Sequence, residues 1–221
     1  IKAVAVDGRT VADLVVEEGG KTGEKTEIGA YEYLEAPSTT SYNHLGNKLA
    51  TIAGFNLEGV DAQVGKDVAM QVASMNPIAV DRDSVAKSIV EAEYNVAVEK
   101  TKEEQVKKAV EAALKKGGIN PNLVDSEDHI SSNIAKGWLT EEEADKARKI
   151  AKETAEAKAA NLPEQMIQNI ANGRVNKFYK ENCLMEQEFI KDGNLTIGKY
   201  LEQAQKGLVV VTFKRVNLNE D

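Results

Sequence analysis

Few residues in this chain could do chemistry, and most of them fail on spacing. Gly19-Gly20-Lys21-Thr22 has the ending of a phosphate-binding loop. The full pattern needs a glycine five residues before Gly20, where Val15 stands, with a strand before the loop and a helix after it. Here a helix comes first and extended chain follows, so the four residues read as a helix-terminating turn. His44 and His129 are the only histidines, and no second His or Cys cluster supports a zinc site or a catalytic triad. His129 falls in a polar stretch and reads as solvated. His44 ends a β-type stretch beside the turn pair Gly46-Asn47 and, taken alone, reads as a structural turn residue. Cys183 has no neighbouring His or helix start to activate it as a nucleophile. Glu99 and Glu103 stand four apart like a pair of acid–base carboxylates, but on an exposed helix that spacing makes a solvated face. The tail Asn219-Glu220-Asp221 is acidic and unspecific. No catalytic residue, metal site or cofactor is expected.

Composition narrows the class. The 221 residues are 42% hydrophobic and 29% charged, which suits one or two soluble domains with an ordinary core. Aromatic residues make up only 5%, while Ala, Glu and Lys crowd Ser84 to Ala160, so a compact mixed domain is interrupted by a helical excursion. A net charge of −8 argues against a dedicated nucleic-acid binder, and the basic cluster Arg174, Lys177 and Lys180 sits among acids. The single cysteine excludes an intrachain disulfide and fits a reducing cytosol. No run of about 18 apolar residues predicts a membrane helix. The start, Ile1-Lys2-Ala3-Val4, has neither signal-peptide grammar nor an initiator Met, and reads as a chain beginning inside a larger protein.

The elements follow from periodicity. A short helix is expected over Val11–Glu18, opened by Thr10 and Asp13 as a capping-box-like pair and ended by Gly19-Gly20. Three extended stretches, Lys25–Glu35, Thr39–Asn43 and Leu49–Phe55, predict an antiparallel sheet with one face buried. Val64, Val68, Val72 and Met75 mark a helix over Asp61–Met75 that Asn76-Pro77 stops. From Ser84 the period becomes seven: Val85, Ala92, Glu99, Val106 and Ala113 form one seam of a coiled coil, and Ile89, Val96, Glu103 and Val110 the other. A second long helix begins at Thr140 with Glu143 in a capping box and runs to Leu162-Pro163. Two such helices joined locally run antiparallel. The joining segment Asn120–Trp138, with Ile130, Ile134 and Trp138 on one face, reads as a tip burying the open end. After Pro163 come a helix through Met166, Ile167 and Ile170, a loop over Glu181–Gly193 and a helix from Thr196 to Gln205. The apolar run Leu208–Phe213 closes the chain as a buried, central strand. The fold class is therefore α+β: a small antiparallel sheet packed with helices, carrying an inserted long antiparallel coiled-coil hairpin. Residues 1–83 form the first part of the core domain, 84–162 the insert, and 163–221 the second part.

Several stretches resemble the elongation factor Ts family. Lys66-Asp67-Val68-Ala69-Met70-Gln71-Val72-Ala73-Ser74-Met75-Asn76-Pro77 is similar to the family helix with an Ala-Met-x-Val-Ala signature before a proline. Val90-Glu91-Ala92-Glu93-Tyr94 resembles the start of its coiled-coil helix. Asn172-Gly173-Arg174-Val175-Asn176-Lys177-Phe178 resembles the stretch after its hairpin, and Leu184, Gln187, Phe189, Thr196-Ile197-Gly198 and the last strand continue the match. The segments occur in family order and span most of the chain.

The resemblance implies a non-enzymatic guanine-nucleotide exchange factor of protein synthesis, cytoplasmic, that binds GDP-bound elongation factor Tu and promotes GDP release. It implies no nucleic-acid or membrane partner, and leaves open whether the long hairpin reaches that partner or another copy of the factor. Lys21-Thr22-Gly23-Glu24 resembles a family loop and Ser41-Tyr42-Asn43-His44 a family strand end, both of which face the partner's nucleotide-binding domain. Thr22, Gly23, Tyr42, Asn43, His44 and Gly46 are the implied partner-binding residues. Two details depart from the family: Leu45 separates His44 from Gly46, and Thr22 replaces an apolar residue. The family's N-terminal three-helix domain and its Thr-Asp-Phe-Val segment have no counterpart here, so the expectation is a fragment that binds the partner but exchanges nucleotide poorly. The alternative from a different class is a coiled-coil structural or chaperone-like binding module.

Overall fold

The computed structural model describes residues 1–219; Glu220 and Asp221 of the acidic tail lie outside the described residues. The fold is α+β, with small antiparallel sheets, helices packed on them and a long helical hairpin. Two compact units are present: one joins Ile1–Val85 with the chain from Tyr179, and the other is Ala86–Phe178.

The first unit opens with a miniature hairpin, β1 (Ala5–Val6) and β2 (Arg9–Thr10). Asp7 and Gly8 both have positive φ, 50° and 78°, the backbone that a two-residue hairpin turn requires. Asp-Gly between two short strands is the sequence signal of such a turn. Thr10 and Asp13 then form a reciprocal capping box at the start of α1 (Val11–Thr22). The helix runs past Gly19-Gly20 and ends at Gly23, whose φ of 71° closes it in the left-handed conformation. Each internal glycine costs an exposed helix only about 1 kcal/mol, so a glycine pair does not by itself stop it.

The stretch Lys25–Glu35, expected as a strand, carries none. It is a strap across one face of the sheet: a Cβ on Gly54 would fall 2.9 Å from the Ala36 side chain and 3.0 Å from Leu34. Chain lying over a face cannot join the hydrogen-bond ladder, which runs in the plane of the sheet. The sheet itself has the order β3 (Ser38–Asn43), β4 (Leu49–Phe55), β7 (Val210–Asn217), all antiparallel. The last strand was expected in the centre; β4 takes that place. Leu208 and Val210 are buried, but Val209 and Val211 are 38% and 48% exposed, the alternation of a one-sided strand.

On the opposite face lies α2 (Ala62–Met75), capped by Asp61, which accepts from the Gln63 and Val64 amides. Gly65 lets it approach closely, since a Cβ there would sit 2.1 Å from Thr40 Oγ1. Phe55, Val68, Val72, Leu184, Ile197, Leu201 and Leu208 form the core. The hairpin β5 (Glu188–Phe189) and β6 (Asp192–Thr196) and the Thr196-capped α7 (Ile197–Ala204) complete the unit.

The second unit contains α3 (Lys87–Lys116), α4 (Glu127–Ala135) and α5 (Glu141–Ala160), followed by most of α6 (Glu164–Asn182). At 30 residues, α3 is about 45 Å long. Leu114 and Ile119 pack on Ala147, so α3 and α5 run antiparallel. The expected seam is displaced. Ala97, Thr101 and Leu114 are the buried residues of α3, whereas Ile89 and Val96 are 41% and 47% exposed and both Glu99 and Glu103 face solvent. Rotating the helix by about one residue keeps two carboxylates hydrated, which outweighs burying Ile89 and Val96. Thr101 then satisfies its hydroxyl by donating to the Ala97 carbonyl at 2.6 Å. At the tip Ile130 packs with Leu139 and Ala144. Trp138, expected on that face, is 64% exposed, because Gly137 at φ 72° turns the chain off the helical path.

Candidate functional site

The implied binding residues fall on two exposed turns of the first unit. One is the tip of the β3–β4 hairpin. Asn43 pairs with Ala50, and the His44 amide donates to the Leu49 carbonyl at 2.9 Å, leaving His44–Lys48 as the loop. The Asn47 amide donates back to the His44 carbonyl at 3.0 Å, closing a β-turn. Gly46 at φ 88° and Asn47 at φ 56° supply the left-handed backbone that the turn demands. Asn43 Nδ2 donates to Asn47 Oδ1 at 2.8 Å and braces the loop across its neck. The Tyr42 hydroxyl lies 2.9 Å from His44 Nδ1, with ring centroids 5.9 Å apart and tilted by 57°. Tyr42 is half-buried, whereas Asn43, His44 and Gly46 are exposed.

The apex residue is Leu45, 91% exposed. In the sequence it stands only as a spacer between His44 and Gly46. A large apolar side chain next to a Gly-Asn turn, where polar residues prevail, was the signal that marks it.

The second turn is the end of α1. Thr22 Oγ1 donates to the Glu18 carbonyl at 3.1 Å and accepts from the Glu24 amide at 3.3 Å, while the Gly23 amide donates to the Gly19 carbonyl at 3.0 Å. Lys21 pairs with Glu17 at 2.9 Å and Glu18 at 3.2 Å. Its hydrogen bonds to Glu17 and then Glu18 raise its pKa above the ordinary lysine value. The amides of Gly19 and Gly20 are thus inside a helix and the lysine is engaged with carboxylates, so this segment is a helix end, not a phosphate cradle. Among the described residues no hydrogen bond, ion pair or ring contact joins Thr22 or Gly23 to the hairpin tip.

Rigid support lies behind the hairpin. Buried Thr51 of β4 donates to the Ala69 carbonyl of α2 at 2.7 Å. Asp67, 5% exposed, accepts from Lys191 Nζ at 2.6 Å, Gln63 Nε2 at 2.6 Å and the Tyr200 hydroxyl at 2.9 Å. Burial pushes the Asp67 carboxyl up, but these three hydrogen bonds outweigh it and hold the pKa below the ordinary value. Gln71, fully buried, donates to the Glu188 carbonyl and accepts from the Ile190 amide, tying α2 to the β5–β6 hairpin.

The remaining candidates from the sequence take no part. Cys183 is fully buried, and burial first, then the Glu186 charge, pushes its thiol up to about 11. His129 contacts Asp125 on the exposed tip of the second unit. Among the described residues no group of three or more His, Cys, Asp or Glu side chains is placed to hold a metal ion, and no helix is long and apolar enough to cross a membrane. The second unit has a groove of about 930 Å³ lined by apolar residues such as Val98, Val106 and Ile167 and by charged ones such as Lys102, Glu103 and Glu164, without a nucleophile–base pair. What the hairpin offers is a convex, braced tip with a hydrogen-bonding imidazole beside an apolar side chain, a geometry for contact with another macromolecule.

The chain is similar to known proteins along its whole length. The family model described as "Elongation factor TS" matches residues 1–126 and 119–220. The chain is 52% identical over 222 aligned residues to the elongation factor Ts of Bacteroides thetaiotaomicron, covering all of this chain and 67% of that protein. It is 49% identical to the elongation factor Ts of Parabacteroides distasonis over the same coverage. The elongation factor Ts of Porphyromonas gingivalis is 38% identical over 97% of this chain and 58% of its own length.

Proposed function

This chain belongs to the elongation factor Ts family, with its nucleotide-exchange role in translation, and we propose that it acts on elongation factor Tu through the β3–β4 hairpin tip and the end of α1. Thr22, Gly23, Tyr42, Asn43, His44 and Gly46 form the contact set in this reading. The observation that carries it is the hairpin tip itself: His44 is held by Tyr42 on an exposed turn whose backbone is fixed by Gly46, Asn47 and the Asn43–Asn47 bond. A tip of that kind can press into a partner without rearranging, which keeps the ordering cost of binding low.

The mechanism is displacement without covalent chemistry, so the protein is not an enzyme. Docking on the GDP-bound GTPase disturbs its nucleotide site and loosens GDP. Coupling of two ligands is reciprocal, so GDP weakens the exchange factor by the same factor. The reading places the protein in the cytoplasm, with no nucleic-acid or membrane partner. Family membership disfavours the chaperone-like alternative, which predicts partner binding independent of GDP.

The test is release of labelled GDP from elongation factor Tu, with and without the full-length protein that carries this chain. Faster release that saturates with its concentration, and partner binding weakened by His44→Ala, is the expected result. No acceleration at micromolar concentration rejects the assignment of this partner; unchanged affinity in His44→Ala returns that residue to a turn role.

A further inference from the structure

We propose that Tyr42 is a positioning residue that fixes His44 as its Nε2–H tautomer, so that the hairpin tip presents a hydrogen-bond donor beside the apolar Leu45. The inference rests on the hairpin tip being the contact surface described above.

The 2.9 Å separation between the Tyr42 hydroxyl and His44 Nδ1 admits two polarities in a neutral imidazole. A phenol is a good donor and a weak acceptor, because its oxygen lone pair is delocalised into the ring. An unprotonated imidazole nitrogen is a strong acceptor. Tyr42 therefore donates and Nδ1 accepts, which leaves the proton on Nε2. The partner of one ring nitrogen sets the state of the other. Among the described residues Nε2 has no partner, and His44 is exposed.

The backbone leaves the pair little freedom. Tyr42 is the last half-buried residue of β3, in register with Thr51, and Thr51 is itself buried and bonded to α2. His44 is pinned on both sides, its amide to Leu49 and its carbonyl to Asn47. The ring therefore swings about a short, fixed lever, and the hydroxyl contact chooses its angle. Next to it Leu45 is 91% exposed. The complementary surface is thus an apolar depression with an acceptor at its edge, a carboxylate or a backbone carbonyl, and not a second donor. A site presenting Lys or Arg at that edge is rejected, which makes the Tyr42–His44 pair a specificity element as well as a contact.

Two measurements decide it. In long-range proton–nitrogen NMR spectra of the free, histidine-labelled protein at pH 8, His44 should show a protonated Nε2 and an accepting Nδ1. His129→Gln assigns the signals, since the chain has only two histidines. A protonated Nδ1 overturns the inference. In binding to GDP-bound elongation factor Tu, Tyr42→Phe should weaken affinity about 3- to 10-fold, the span of one lost hydrogen bond, while the His44 nitrogen signals move to a tautomer mixture. The Tyr42→Phe/His44→Ala double variant should bind no more weakly than His44→Ala alone. Additive losses mean that Tyr42 acts independently of His44 and reject the positioning role. If His44→Ala leaves affinity unchanged, it is the contact reading that fails, and the NMR result still judges the tautomer lock by itself.

Discussion

The two units of the molecule are held together by different kinds of residue. The first buries large side chains completely, Phe55, Leu184, Ile197 and Leu201 among them, and threads hydrogen-bonded polar groups through them, as at Asp67, Gln71 and Gln187. The second alternates small buried residues, Ala97, Thr101, Ala144 and Ala147, with aliphatic anchors, Leu114, Ile119, Ile130, Leu139 and Ile167. Some of its helices are capped, as at Thr140, and their exposed faces carry ion pairs such as Arg148 with Glu127 at 2.8 Å. A small sheet gains from large, fully buried side chains that hold its strands in place. A long helical pair needs only a narrow seam, and its charged faces keep it in water.

The largest expected difference comes from truncation. Phe55→Ala should cost the first unit about 3–5 kcal/mol, as transfer and cavity terms add in a core that cannot collapse. Denaturant unfolding followed by signals of the β3–β4 hairpin measures it. A loss under about 1 kcal/mol would erase the contrast drawn here.

Asp67→Asn comes next, at about 1–3 kcal/mol at neutral pH, because a buried acceptor with three donors is replaced by a group that must face some of them with its own donors. Its pH dependence sharpens the comparison. The folded-state pKa of Asp67 is depressed below 3.8, so its stabilisation is fully present above that value and is lost as pH falls through the folded pKa. In the wild type, stability plotted against pH should bend downward below about pH 4, and the Asn variant should lose that part of the bend. Tyr200 gives the alkaline counterpart. Burial, then its bond to Asp67, pushes its hydroxyl up to about 12 from 10, so its contribution holds below pH 10 and fades as pH rises through 12. Tyr200→Phe should flatten that limb.

Smaller effects belong to the helical unit. Thr140→Ala, which removes a reciprocal capping box with Glu143, should cost about 1 kcal/mol in thermal unfolding of α5. Glu127→Gln should have the smallest effect of all and none measurable in 1 M salt, since both partners of that ion pair are well exposed. A larger, salt-independent loss would mean that the hairpin's surface charges carry more than its seam.

Local chemistry was legible where local groups decide it. The capping boxes at Thr10 and Thr140, the α2 helix with its Asn76-Pro77 stop, and the Gly46-Asn47 turn all depend on residues within a few positions of one another. The family resemblance was legible for the same reason, as a set of short motifs in order. What failed was non-local. Thr, Tyr and Ile enrichment in Lys25–Glu35 gives extended backbone but does not say whether it lies beside a strand or over a face; Gly54, Leu34 and Ala36 settle that. The apolar run after Gly207 promised a central strand, yet the connection through β4 left it at one side.

Sequence by itself determined that this is an α+β protein with a hairpin of long helices and a Tyr-x-His strand end at an exposed turn, because those features are written in periodicity and in neighbouring residues. Tertiary structure alone decided which way α3 rotates and which nitrogen of His44 is engaged. Hydration of Glu99 and Glu103 competes with burial of Ile89 and Val96, and only the packed helices resolve that balance. The contact between Tyr42 and His44 exists only because the strand places their side chains on one side of the sheet, two residues apart.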